Sequence, residues 1–491
     1  MTDPTTGPVH PTVDDPVVGA LSEPIGGPVG SRARSREAGG TSSWWTPLRV
    51  LLALTALSFA LGLVAQASCV ADQWRGDGQL ARVCGSEIAD SYTGTGLVEG
   101  AWPWSSEADT LSRHAVLEEP ALVGLWTYAA ARATQLVSGG PSLEERYGVA
   151  AATLPRDPDI RRERTIFVAA NAIGLAVLAL LTTLALSRVH RRRPWDAAGF
   201  AVAPLLVVTG LTAWDLIAVS AVGLALLAWS RRRAVVAGAL VGVGVAAGVW
   251  PVLLLGAFAL SASRTRRLVE VPPAVAAAAG AWVCLNLPAL VSGPAQWQRF
   301  WAVAADRGPD SGTLWTVLDD SIGISHDTVL TTSLALVGVW VTGVVTLCLL
   351  APSPPRVSQA ALLLVAGLVL LRPAFEPHQA LWLLPLAALA RPRWRDLLIW
   401  QSCAVVFAAM HSWWRGGLLD PGGDGPAGFY WIGIGVHVVG TLWLVAVVVG
   451  DLWWPEVDPV GGERPRRDPP RRGRGGSRGQ VTTMRSNDVA V

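Results

Sequence analysis

From Pro47 to Gly450 the chain alternates between long apolar runs and short polar breaks. The runs lie near 47–68, 166–187, 198–212, 214–230, 234–250, 251–263, 271–290, 328–351, 357–372, 379–391, 396–412 and 429–451. Read as helices they give an all-α polytopic membrane protein with about twelve spans. Several runs fall short of the ~20 residues that a perpendicular crossing needs. Those helices are expected to extend into the adjoining polar segments. One further apolar stretch, 120–138, breaks the parity. A thirteenth crossing would put Arg188–Arg193 on the wrong side, so this stretch is expected to be a juxtamembrane or re-entrant helix.

The polar breaks are of two kinds. Arg188/Arg191/Arg192/Arg193, Arg231/Arg232/Arg233, Arg264/Arg266/Arg267, Arg356 and Arg391/Arg393/Arg395 occupy alternate connections. Cytoplasmic loops collect basic residues, so these face the cytoplasm. The remaining breaks then face outward, and they carry the unusual polar chemistry. Two are long: a first outer loop over 69–165 and a second over 291–327. Long ordered loops are usually functional.

Composition agrees with a membrane protein: 51% hydrophobic residues, 15% charged, and a mean hydropathy of +0.40. The net charge of +2 says less than its distribution. The chain contains no Lys, so every cationic side chain other than His is Arg. Residues 1–46, rich in Pro, Gly, Ser and Thr, read as a disordered cytoplasmic tail. Residues 452–491 read as a second, Arg-rich one. The span from Pro47 is too long for a signal-peptide core and is expected to remain as an anchor. No metal quartet, phosphate loop, Ser/His/Asp set or nucleic-acid signature is present.

Of the five Cys, Cys284, Cys348 and Cys403 lie in apolar runs and read as small hydrophobes. Cys69 and Cys84 flank a short segment in the compartment that permits disulfides. A bond between them would brace the start of the first outer loop.

That loop continues as Cys84-Gly-Ser-Glu-Ile-Ala-Asp-Ser-Tyr92. Glu87 and Asp90 are three residues apart and would share a helical face. A carboxylate held there can act as general base toward a sugar hydroxyl. The plainer reading is solvation or helix capping. Trp214-Asp215 opens a span, as interface anchor and dipole partner or as part of a cleft. Arg299 and Arg307 depart from the arginine sidedness. They can bind a phosphate diester or pair with nearby acids. Arg372, Glu376, His378 and Gln379 crowd one span boundary, where polar groups tend to be functional.

Taken in order, these segments resemble the polytopic mannosyltransferases of glycosyltransferase family 87. That family carries Cys-Tyr-Ser-Asp-Ile where this chain has Cys84-Gly-Ser-Glu-Ile88. Gly96-Leu97, Gly100, Pro103-Trp104 and Glu118 to Gly124 resemble its pattern. So do Trp214-Asp-Leu216, Arg307-Gly-Pro-Asp310 with Leu314-Trp315, Leu381-Trp-Leu-Leu-Pro385 and Ala390-Arg-Pro-Arg-Trp-Arg-Asp-Leu397. The similarity covers about 48 to 412.

The resemblance implies a GT-C fold. It also implies inverting sugar transfer from a polyprenyl-phosphate donor to a lipid or glycolipid acceptor at the outer face. Glu87 would be the base, assisted by Asp90. His378, Arg307, Arg299 and Arg372 would hold the donor phosphate. Trp214, Asp215, Trp315, Glu118, Glu376 and Gln379 would line the cleft. No divalent metal, nucleotide sugar or nucleic acid is implied. The chain departs from the pattern at Ala213 (Asn in the family), at Gly248 (Lys), and at Glu376-Pro-His-Gln379 (Ser-Pro-Gln-Tyr). A non-catalytic relative in envelope assembly and a lipid transporter remain as alternatives.

Overall fold

The computed structural model describes residues 46–74, 78–115, 117–190, 193–419 and 428–460. The expected tails fall largely outside them, as do Arg191 and Arg192. The described residues form helices and no strand. Six helices are long and apolar enough to cross a membrane: Pro47–Ala71, Pro158–Val189, Leu268–Ser292, His326–Leu350, Trp394–Arg415 and Gly428–Trp453.

Their starts reflect local chemistry. Thr46 caps the first, its hydroxyl accepting from the Arg49 N–H, with Pro47 at the first helical position. Asp157 caps the second and is followed by Pro158. Ser325 caps the helix that begins at His326. In each, a side-chain oxygen satisfies an N–H that the helix leaves open, and in the first two Pro stands where no N–H is needed.

The remaining apolar runs are shorter or broken. The run over 198–212 divides into Ala198–Ala201 and Pro204–Thr209. Pro204 forces the preceding residue out of helical geometry, and Ala203 is extended (φ −66°, ψ 121°). The run over 379–391 divides into a 3-10 turn, Pro377–Trp382, and the short helix Leu384–Ala390. At 1.5 Å per residue that short helix is about 10 Å long. Its residues are buried on every side, so it is core rather than a helix facing lipid. Leu216–Ser230 and Val357–Leu371 are likewise almost wholly buried.

The long helices surround this core and expose apolar side chains: Val64 is 71% exposed, Val291 76%, Leu334 72% and Val339 70%. Such a surface is stable in a hydrocarbon solvent and not in water. The molecule is therefore membrane-embedded. The stretch over 120–138 forms the helix Ala121–Ser138, outside the six. It packs on Pro158–Val189 and Ala234–Ala247.

The arginine-rich breaks meet at one end of the bundle. Arg391 pairs with Asp396 (2.9 Å) and with Asp451, all three nearly solvent-free. Arg193 pairs with Asp196 (3.1 Å), which also accepts from His190. Arg356 pairs with Asp458 (2.7 Å) and donates to the carbonyls of Leu389 and Ala390. Arg264 donates to the Leu349 and Ala351 carbonyls. These bonds tie the helix ends together and close orphan C-terminal carbonyls.

Candidate functional site

At the other end of the bundle a cavity of about 510 Å³ opens between the first loop and the ends of the long helices. One wall is the helix Glu87–Gly94. Glu87, Asp90, Ser91 and Gly94 line the cavity, while Ile88, Ala89 and Tyr92 are fully buried behind them. That is the 3.6-residue period dividing one helix into a wet face and a dry one. The helix is held at its start. A disulfide joins Cys69 to Cys84, the Glu87 N–H donates to the Thr212 carbonyl (2.9 Å), and the Ser86 hydroxyl reaches the Leu211 carbonyl (3.4 Å).

The facing wall comes from the segment at the start of the Pro377–Trp382 turn. His378 Nδ1 stands 3.8 Å from Glu87 Oε1, and its Nε2 stands 3.6 Å from Asp215 Oδ2. Asp215 accepts from the Trp382 indole N–H (2.5 Å). Trp382 stacks on Trp250 (5.5 Å between centroids, 14° between planes) and lies under the Arg372 guanidinium. The imidazole is thus suspended between two carboxylates, one of them pinned by an aromatic pair.

Glu376 is anchored separately. It accepts from the Ser311 hydroxyl (3.0 Å) and stands 2.9 Å from His411 Nε2. His411 Nδ1 is 2.8 Å from the Tyr430 hydroxyl, which accepts from the Gly312 N–H. Gly312 has φ +73°, and a Cβ there would run into the Phe375 carbonyl. Only glycine fits this approach.

The electrostatics reflect the crowding. Burial lifts the Glu87 carboxyl; His378 opposes this, and Glu376 and Asp215 add to it. Glu87 sits deep among protein atoms, yet 44% of its side chain stays open because it faces the cavity. Burial also lifts Asp90, against Arg164 and Arg415. Glu119 is raised to about 8 by burial and by Glu87 and Asp215, against His378 and Arg307. For Glu376, burial is outweighed by His411, His378 and Ser311, and its carboxyl is held down at about 2. His378 loses by burial but gains more from Asp215, Glu87, Glu376 and Glu119, so its proton is held more tightly than usual.

The expected site residues divide into two groups. Glu87, Asp90, Glu118, Glu376, His378 and Trp214 line the cavity, with Asp215 directly behind His378. Trp214 also donates its indole N–H to Asn171 (3.0 Å). The others stand apart from the lining. Arg372 donates to Gln379 (2.9 Å). Arg299 is engaged by Glu118 (3.1 Å). Trp315 is buried, with its indole bonded to the Leu371 carbonyl (3.0 Å), so it is no part of the cleft wall. Arg307 has no hydrogen bond or ion pair with the described residues, and its charge reaches Glu119 and Arg372.

Three titratable lining residues escaped the sequence reading: Glu119, His411 and Arg415. For His411 a signal existed, because a titratable group within an apolar span is a functional candidate by default. Glu119 was hidden by its neighbour Glu118, and Arg415 by its place at a helix end.

Other loop carboxylates are consumed by structure. Glu99 is buried against Arg113 and His114, and Glu163 against Arg146 (2.9 Å). No group of three or more His, Cys, Asp or Glu side chains among the described residues is arranged to hold a metal ion. No protein-family model and no curated protein matches the chain.

Proposed function

We propose that the protein is a membrane glycosyltransferase of the GT-C type. In this reading it has about twelve crossings and both termini in the cytoplasm. It transfers a sugar, mannose by the resemblance to family 87, from a polyprenyl-phosphate donor to a lipid or glycolipid acceptor at the outer face. The observation that carries the reading is the open Glu87 carboxylate. It lines a cavity large enough for a sugar and stands 3.8 Å from a histidine that Asp215 backs.

The chemistry asks little more. Glu87 takes the acceptor hydroxyl proton as that oxygen attacks the anomeric carbon, and the configuration there inverts. General-base catalysis of this kind is worth about 10²–10⁴-fold. Arg307 and His378 lie on the side of the donor phosphate and stabilise its charge as the sugar leaves. Asp90, one turn along the same helix, contacts the acceptor. Trp214 presents an aromatic face to the sugar. The short interior helices let the membrane end and the cavity begin within the same bundle, where irregular backbone is tolerated because it borders a cavity.

The test is transfer by the purified protein in lipid vesicles, supplied with labelled polyprenyl-phosphate mannose and extracted envelope lipids. The expected result is label in a new lipid. Protein that binds polyprenyl phosphate but transfers nothing from any polyprenyl-linked sugar defeats the reading.

A further inference from the structure

The second long loop turns apolar side chains away from the protein and its bonded charges toward it. The helix Leu314–Ile322 shows this most plainly. Leu314, Leu318 and Ile322 recur every four residues and form one stripe. That stripe is open: its members are 47%, 41% and 72% exposed. Trp315 and Thr316 are buried against the protein. Neither carboxylate of the helix belongs to the stripe. Asp319 accepts from the Ile324 N–H (3.1 Å) at its own helix end, and Asp320 accepts from the Trp431 indole N–H (3.1 Å). A helix facing water has the reverse arrangement, with apolar side chains in and charged ones out.

The other helix of the loop, Pro294–Ala305, buries none of its residues. Its aromatic edge runs beside the span Leu268–Ser292. Trp297 donates to Asn286 (2.8 Å), and Trp301 meets Trp282 edge to face (6.3 Å between centroids). Its one charged side chain, Arg299, reaches Glu118 in the cavity lining. Ser311, between the two helices, donates to Glu376. Polar contacts thus tie the loop to the cavity on its inner side.

Continuity says what covers the open side. A few residues after Ile322 begins the span His326–Leu350, whose Leu334 and Val339 are exposed. Trp431, the partner of Asp320, belongs to the span Gly428–Trp453, beside exposed Phe429 and Ile432. The stripe is therefore bordered by two apolar surfaces that only hydrocarbon covers stably.

We propose that the second long loop is a membrane-surface element whose partner is the lipid of the bilayer. Leu314, Leu318 and Ile322 lie among the acyl chains, and the Trp297–Trp301 edge lies at head-group depth. Amphipathic helices of this kind enter about 5–10 Å into the head-group boundary, and Trp is enriched there because its ring is apolar with one polar N–H. The inference goes beyond the transferase reading and does not depend on it. Because Glu118 and Glu376 border the cavity, the loop holds the cavity mouth at the level of the bilayer. A lipid-borne substrate then enters from the side.

The experiment places a nitroxide on single cysteines of the full chain in vesicles of phosphatidylcholine and phosphatidylglycerol. Cys284, Cys348 and Cys403 are replaced by Ala, and the Cys69–Cys84 disulfide is kept. Labels on Leu318→Cys and Ile322→Cys are compared with two references: Val339→Cys, exposed on a span, and Glu144→Cys, an exposed acid of the first loop. The expected result is stronger relaxation by oxygen than by a water-soluble nickel chelate at Leu318 and Ile322, as at Val339. The oxygen-to-nickel ratio there should be several-fold above that at Glu144. A second measurement uses the unaltered chain: phosphatidylcholine with a diazirine in its acyl chain should mark residues 314–322 on photolysis. Nickel relaxation dominant at Leu318 and Ile322 overturns the proposal, because water then covers the stripe. Low access to both reagents overturns it as well, with a protein partner or a second copy of this chain as the cover. So does photolabel on the spans with none on 314–322.

Discussion

The two ends of this bundle use charge in opposite ways. At the arginine-rich end, Arg391, Asp396 and Asp451 are buried and matched partner to partner, and Arg193, Arg356, Asp196 and Asp458 extend the same pattern. At the cavity end, Glu87, Asp90, Glu119 and Glu376 share one space with His378, His411 and Arg415. There the closest approaches of His378 to Asp215 and Glu87 are 3.6 and 3.8 Å, too long for hydrogen bonds. The same helices serve both ends: Trp394–Arg415 and Gly428–Trp453 hold Asp396 and Asp451 at one tip, His411 and Tyr430 at the other. Paired ions fix helix ends. Crowded, incompletely paired ones shift proton affinities and leave groups open to a ligand.

The contrast can be broken by substitution. The largest effect is expected for Glu87→Gln: transfer should drop about 10²–10⁴-fold, while the melting temperature holds or rises because one of several like charges is gone. Arg391→Met should behave in the reverse sense. It strands Asp451 in a dry site, leaves Asp396 with Arg395 alone (3.1 Å), and should destabilise by about 3–5 kcal/mol, with transfer per folded molecule retained. Thermal unfolding in detergent alongside a transfer assay reads both.

The disulfide lies between these extremes. Its loop has a sequence separation of 15, and removing both thiols, Cys69→Ser with Cys84→Ser, should cost about 3 kcal/mol. Because Cys84 is joined to Glu87 through a short stretch of chain, kcat should fall as well, which melting alone would miss.

The smallest effect is on stability against pH. Glu376 ionises at about 2 in the fold against 4.5 ordinarily. Its contribution is present above 4.5 and is lost as pH falls toward 2. Glu119 binds its proton up to about 8. The folded state then holds more protons than the unfolded one above 4.5, so stability declines as pH rises from 4.5 to about 8 and levels off beyond. Melting curves of Glu376→Gln should lose the acid slope, and those of Glu119→Gln should flatten the neutral one.

Much of this division was legible in the chain. The arginine breaks marked the end where they meet, and the Glu87–Asp90 spacing placed both on one face because a short helix repeats every 3.6 residues. What pattern could not give was the depth of each run. Pro204 and Pro377 break two of the apolar runs into short helices buried in the core. Nor could it give partners distant in sequence or in a turn. Arg299 and Arg372 read as phosphate ligands, and only the fold shows Glu118 and Gln379 beside them. Glu119 was concealed because it adjoins Glu118 in a bend, and only the fold shows that both carboxylates border the cavity.

The central claim is that the cavity end is built for proton transfer at Glu87 and the arginine-rich end for stability. The most direct measurement is single-turnover sugar transfer from polyprenyl phosphate by Glu87→Gln in vesicles, at donor saturation and with its melting temperature recorded. The account predicts transfer lost by at least about 10²-fold in a protein that melts no lower than wild type and still binds donor. Transfer at the wild-type rate would contradict it.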